Sequence, residues 1–259
     1  MLSGTIDKQF IDLTELAFAW HRQFTAAVGS AEISVGEQFQ SVFIDQPWNA
    51  LRLQQPDLES RFNPIIQAMT VDLQKHRNIK LMAGRQHGDF HASNIMLDQQ
   101  RIRGVIDWEN YSADLPPGFD IFHFVTTYIE GLLEFAADRL DMNLLGFLSQ
   151  EQPWINLITQ RVVQLGQHYG LQPPQVPLLW PLYFLHFFFS ASQLRKRGAD
   201  KSQRFETFLR LRPTRPDRVI RILSLMAYGA ALGKAKSQNN PALMQQCQTQ
   251  IEKLRTLLQ

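Results

Sequence analysis

Asp89 and Asn94 stand five residues apart, and Asp107 follows thirteen beyond Asn94. They lie in a stretch running from His87-Gly-Asp-Phe-His-Ala-Ser-Asn94 to Ile106-Asp-Trp-Glu109. A carboxylate, an amide and a second carboxylate are the groups that phosphoryl transfer asks for. One receives the hydrogen bond of an attacking hydroxyl, and the others offer hard oxygen ligands to Mg²⁺. Ile95-Met-Leu97 and Ile102 to Ile106 carry β-prone residues, and polar Asp98-Gln-Gln100 between them reads as a turn. Such a hairpin would hang the loop from one end and Asp107 from the other, side by side. The plain alternative is a surface turn rich in His and Asp followed by a hairpin, and the joint spacing of all three groups weighs against it.

The Asp89–Asn94 spacing equals that of the protein-kinase catalytic loop, H-R-D-x-x-x-x-N, with Asp107 in the place of the D-F-G Asp. Gly88 replaces the Arg of that loop, and Trp108-Glu109 replace the Phe-Gly. In this form the stretch resembles the aminoglycoside phosphotransferase and choline kinase family, which carries H-G-D-x-x-x-x-N followed by I-D-W/F-E. The same departures speak against a protein kinase. The resemblance is strong over residues 80–125 and extends more thinly along the rest of the chain. It implies a kinase-like fold, ATP and Mg²⁺ as cofactors, and a hydroxyl of a small molecule as acceptor. It further implies Asp89 as catalytic base and Asn94 and Asp107 as Mg²⁺ ligands. Met96 and Ile106 would form the floor of an adenine pocket, although both read equally as buried strand residues. Asp120, in Gly118-Phe-Asp-Ile121, matches a family Asp that braces the catalytic loop. His87 reads as an anchor of that loop rather than a base. His91 and Glu109 stand nearby with no firmer assignment.

The surrounding elements are mostly helical. Phe10, Leu13, Ala17, Trp20, Phe24 and Val28 recur at steps of three and four, predicting a helix over residues 7–28 with Asp7 as N-cap and Gly29 as stop. His21 on that helix reads as a packed surface histidine. Residues 30–62 carry weaker signals, with a possible helix from Gly36 to Ile44 and breaks at Pro47 and Pro56. Asn63-Pro64 reads as a helix start, and Ile65, Ile66, Met69 and Leu73 then form a core stripe running toward Lys80. Pro116-Pro-Gly118 predicts a turn, and Phe119 opens a helix to about residue 138. Further helices are marked by Trp154 to Leu165 (closed by Gly170), by Val219 to Met226, and by Met244 to Leu258. The fold class expected is α+β, mostly helical: a kinase-like C-terminal lobe with a small catalytic β-hairpin. Residues 80–125 would hold the catalytic loop and metal motif, and 126–259 a helical subdomain.

Composition narrows the field. At 259 residues with 19% charged, the chain is long enough for a real core and too apolar for disorder. Its one cysteine, Cys247, excludes an internal disulfide, and neither C-x-x-C nor H-E-x-x-H occurs. The N-terminal residues lack a signal-peptide pattern, so a cytoplasmic setting is expected. The apolar run Leu178–Ala191 is shorter than the ~20 residues that span a bilayer, and it reads as a buried helix rather than a membrane-facing one. Residues 107–151 carry nine acids against Arg139, a net charge of −8; residues 195–236 carry a net of +9. The acidic block would favour a cationic acceptor through its field, unless it is simply a solvated helix face. The basic block lacks aromatic interleaving, so no nucleic-acid partner is expected.

One part of the expected family architecture has no counterpart in the sequence. Kinase-like enzymes hold ATP beneath an N-terminal lobe with a Gly-rich loop and a Lys paired with a helix Glu. Before His87 there are only Lys8, Lys75 and Lys80, none on a convincing strand, and no G-x-G-x-x-G. The expectation is therefore an N-terminal lobe supplied elsewhere, in cis or by another polypeptide, with activity of this chain alone in doubt. The rival reading is a truncated or pseudokinase-like binding module without catalysis.

Overall fold

The computed structural model describes residues 6–54, 56, 58–113, 115–139, 154–193 and 216–258. Helix α1 (Ile6–Val28) ends at Gly29, whose φ of 75° lies in the left-handed region open to glycine. Asp7 falls inside α1 rather than at its cap. His21 is fully buried, not a surface residue, because its helix face is covered by Phe90 and Tyr169.

Residues 30–62 prove more regular than their signals. Strand β1 (Ser30–Ser34) pairs antiparallel with β2 (Lys80–Gly84), in register from Ser30↔Gly84 to Ser34↔Lys80. Neither strand is expected from periodicity, since both are short, β1 is mostly exposed and β2 buries only Leu81. Lys80 does stand on a strand, where it forms an exposed cross-strand pair with Glu32 (Nζ–Oε1 2.6 Å). A short helix α2 (Glu37–Gln40) passes through a π-helical turn (Ser41–Asp45) into α3 (Gln46–Gln54), so Pro47 lies just past the π turn within a continuous helical run instead of breaking it.

Helix α4 (Leu58–Gln74) corrects the expected start at Asn63-Pro64: both residues are inside it. Its buried residues, Leu58, Phe62, Ile66, Met69 and Leu73, form one continuous stripe, and this burial overrides the hydrogen bond Pro64 cannot make. Asn63, freed from capping, accepts a hydrogen bond from the Trp48 indole at 3.1 Å and ties α4 to α3.

The predicted hairpin is present as β3 (Ile95–Asp98) and β4 (Arg101–Val105), antiparallel, with a register irregularity between Met96 and Leu97. Gln99 takes the left-handed turn position. The Pro116-Pro117-Gly118 turn leads into α5 (Phe119–Arg139), which buries Phe119, Ile121, Phe122, Phe124, Val125 and Ile129. Helices α6 (Trp154–His168), α7 (Leu179–Gln193), α8 (Pro216–Ser237) and α9 (Pro241–Leu258) complete the described elements. Helix α8 packs against α5, α6 and α9, and α1 against α5 and α6. Helix α7 is apolar nearly all round, and Trp180 and Leu182 to Leu185 are buried. No described helix is long and apolar enough to cross a membrane. The chain is thus mostly helical α+β, with two small two-stranded sheets among the described residues. Residues 195–215 of the basic block and part of the acidic block lie outside those residues.

Candidate active site

The site is one loop held at three places. Its ends are drawn together where Gln86 and Ser112 exchange backbone hydrogen bonds (2.8 and 3.0 Å). Beneath it lies buried Asp120, in the first turn of α5. Its Oδ2 accepts from the His87 backbone N–H at 2.7 Å and its Oδ1 from the Gly88 N–H at 2.8 Å. The Gln86 side chain completes the clasp by accepting from the Asp120 N–H at 3.3 Å. Gly88 has φ 85°, and a Cβ there would stand 2.2 Å from the Asn110 carbonyl oxygen, so only glycine fits.

His87 joins the loop to the hairpin. A carbonyl can only accept, so Nε2 carries the proton and donates to Ile106 O at 3.0 Å, while Nδ1 accepts the Asp89 N–H at 3.3 Å. Burial lowers the His87 pKa and keeps the ring in this neutral form, although Asp120 opposes the shift. Trp108 covers the ring at 4.3 Å and donates its indole N–H to Val105 O at 2.7 Å.

Asn94 closes a 3-10 turn (Ala92–Asn94) and is buried. Its amide nitrogen donates to Asp89 O at 3.0 Å and lies 3.5 Å from Asp89 Oδ2, which turns the amide oxygen away from those contacts. The Asn94 carbonyl accepts the Ile106 N–H at 3.0 Å, so the residue next to Asp107 is bonded to Asn94. Asp107 itself is exposed, with φ 67° and ψ 60° at the entry to the 3-10 turn Trp108–Asn110. Aspartate tolerates that left-handed conformation better than most side chains.

The Asp89 carboxylate meets two histidines. Oδ1 is 3.1 Å from His123 Nε2 and Oδ2 is 3.6 Å from His91 Nε2. The hydrogen bond from His123, then the looser contact with His91, hold the Asp89 pKa well below the usual carboxylate range. The His91 pKa is correspondingly raised by its contact with Asp89. His123 was not among the residues singled out by spacing, and Tyr183, whose hydroxyl is 3.2 Å from His123 Nδ1, was not either. A signal for His123 did exist. It stands three residues after Asp120 on one helix, so both share the face that meets the loop.

Met96 and Ile106 are not buried strand residues: they are 46% and 45% exposed. Ile106 lies just past the end of β4, and Met96 extends across its partner strand where Gly104 has no Cβ. Both are therefore apolar surface at the hairpin.

Among the described residues no group of three or more His, Cys, Asp or Glu side chains could hold a metal. One carboxylate and one amide oxygen suit Mg²⁺, which keeps several waters and takes its remaining ligands from phosphates. A cavity of about 350 Å³ lined by Phe39, Gln40, Leu73 and Arg77 lies between α2 and α4 and contains none of the site residues.

Comparison with curated proteins and with solved structures gives no match. A family profile described as the Phosphotransferase enzyme family matches residues 13–153, over half the chain and spanning the whole loop, its hairpin and Asp120. The chain belongs to that phosphotransferase enzyme family.

Proposed function

We propose that the protein transfers the γ-phosphoryl group of ATP, with Mg²⁺, to a hydroxyl of a small molecule, and that the site lies in a kinase-like lobe. The observation that carries this reading is the loop geometry: Asp89 and Asn94 are hydrogen-bonded to each other, and Asn94 is bonded to the residue beside Asp107. Asp89 receives the hydrogen bond of the acceptor hydroxyl and takes its proton as the new O–P bond forms. A carboxylate held well below its usual pKa is a weak base. That suits a loose transition state, in which the hydroxyl proton is still largely in place when the phosphoryl group is in flight. Asp89 therefore acts chiefly by orientation.

Asn94 and Asp107 would hold Mg²⁺ through their oxygens. When bound, the ion neutralises the phosphate charge. Exposed Met96 and Ile106 offer an apolar surface for the adenine ring. Asp120 and His87 keep the loop in shape from beneath and from the side. The acceptor class follows from charge. Asp107 and Glu109 are exposed members of the acidic stretch, whereas Asp120 is buried beneath the loop with both oxygens turned to backbone N–H groups. We infer a cationic alcohol as the preferred acceptor.

The test is Mg·ATP consumption across a panel of cationic, neutral and anionic alcohols. Acceptor-dependent ADP release supports the reading. Nucleotide binding without turnover on every acceptor would instead favour a binding module without catalysis.

A further inference from the structure

Asp89 is held by a chain of groups that the proposed transfer does not itself require. Its Oδ1 lies 3.1 Å from His123 Nε2, and His123 Nδ1 lies 3.2 Å from the Tyr183 hydroxyl. The His123 side chain is only 5% exposed. Its ring stacks on Phe119 (6.0 Å between centroids, 9° between planes) and meets Phe187 at 5.2 Å. The ring therefore has little freedom to turn. An ionised carboxylate only accepts, so His123 Nε2 carries a proton toward Asp89. Nδ1 then faces the Tyr183 hydroxyl, which can donate to it. The acceptor-only carboxylate requires the Nε2–H tautomer, and a Tyr183 hydroxyl donating to Nδ1 supports it.

The other oxygen is held loosely. Oδ2 has Asn94 Nδ2 at 3.5 Å and His91 Nε2 at 3.6 Å, both at or beyond the length of a firm hydrogen bond. The terminal torsion of an aspartate is broad, so only the contact to Oδ1 fixes the plane of the carboxylate. One face of α5 then grips three successive residues: Asp120 takes the backbone of His87 and Gly88, and His123 takes the side chain of Asp89.

We propose that His123 is a positioning residue: by holding Oδ1 it orients the carboxylate so that Oδ2 receives the acceptor hydroxyl, with Tyr183 keeping His123 in the required tautomer. This rests on the reading of Asp89 as the group that meets the acceptor. His123 touches neither substrate nor nucleotide in this account.

The test compares His123→Ala, His123→Gln and Tyr183→Phe in steady-state assays, with tautomer assignment by long-range ¹⁵N–¹H NMR on the wild type and Asp89→Ala. Misorientation predicts that His123→Ala lowers kcat by ~10–100-fold. KM for both substrates should stay within about twofold, because binding is not touched. His123→Gln, whose amide can donate to Oδ1, should recover most of the loss, and Tyr183→Phe should lose less than His123→Ala. Equal losses in the Ala and Gln variants that track their melting temperatures would show a merely structural residue and overturn the proposal. The NMR arm needs no turnover. His123 should be the Nε2–H tautomer with a slowly exchanging Hε2 that loses its protection in Asp89→Ala; an Nδ1–H tautomer would overturn the proposal. A protein with no turnover and an intact Nε2–H pair sinks the phosphotransferase reading, and with it the catalytic purpose of the pair. Turnover unchanged by His123→Ala sinks the positioning role alone.

Discussion

At the scale of single residues, the loop is specified by what each group accepts or donates. Asp120 is buried and satisfies two backbone N–H groups at once, so Asp120→Ala leaves both without an acceptor. A buried unsatisfied donor costs about 1–3 kcal/mol, so this variant should lose roughly 2–5 kcal/mol of stability in urea denaturation. A loss below about 0.5 kcal/mol, the range of ordinary surface changes, would mean water replaces the carboxylate and the brace is dispensable. Asp107 belongs to a different kind of interaction. Among the described residues it makes no hydrogen bond that holds the loop, and it is exposed, so Asp107→Ala should fold normally. It should nonetheless raise the Mg²⁺ concentration needed for half-maximal activity, since a hard cation loses its carboxylate. An unchanged Mg²⁺ dependence would remove Asp107 from the ligand set.

At the scale of elements, the case of α4 shows how local signals compete with packing. Pro64 stands at the seventh position of a seventeen-residue helix, where it removes one intrahelical hydrogen bond. An interior proline costs about 3 kcal/mol against alanine, while its stiffening of the unfolded chain returns about 0.4–1 kcal/mol. Pro64→Ala should therefore stabilise the fold by about 1–2 kcal/mol once packing losses are counted, measured by thermal or urea unfolding. Destabilisation would show that the Pro64 ring contributes more through packing than its missing N–H costs. The same competition explains what could be read in advance. The hairpin was legible because two β-prone runs flank a polar turn, and α1, α5 and the later helices because their apolar steps of three and four run over several turns. Asn63-Pro64 misled because cap chemistry at one point was outweighed by Leu58 and Phe62, which extend the buried stripe upstream. Strands β1 and β2 were invisible because each is five residues long, and they find each other across 45 intervening residues. Asp89, Asn94 and Asp107 were legible as one motif, and the backbone bonds around Asn94 bring their segments together. His123 and Tyr183 were missed since they reach the loop from separate helices, and only Asp120, three residues before His123, hinted at that face.

At the scale of the whole molecule, charge and burial set how the protein responds to its medium. His186 on α7 donates to the Phe43 carbonyl at 3.2 Å across the core, and burial pushes its pKa down to about 4. Between pH 6.5 and 4 the unfolded chain binds a proton there that the folded chain refuses, so stability falls as pH drops through that window. The slope is about 1.4 kcal/mol per pH unit for one such group. His87, also lowered by burial, adds in the same direction, and His91, raised by Asp89, opposes it. The difference between wild type and His186→Gln isolates one contribution: the variant should show a flatter loss of stability from pH 6.5 to 4 by chemical denaturation. Equal slopes would mean that His186 titrates in the folded protein. For the acceptor, the acidic stretch predicts that added salt weakens cationic alcohols selectively through KM and leaves neutral ones unchanged. A preference for anionic acceptors would reject that assignment.

The most direct measurement is single-turnover transfer of a labelled γ-phosphate from Mg·ATP to the best acceptor of the panel, by wild type and by Asp89→Asn. The substitution keeps size and one acceptor oxygen for His123 but removes the carboxylate that receives the hydroxyl proton. Transfer should slow by about 10²–10⁴-fold in the variant, with the melting temperature and Mg·ATP binding unchanged. Transfer by Asp89→Asn at near the wild-type rate would contradict the account, because the loop built by His87, Asn94 and Asp120 would then be holding the wrong residue in place.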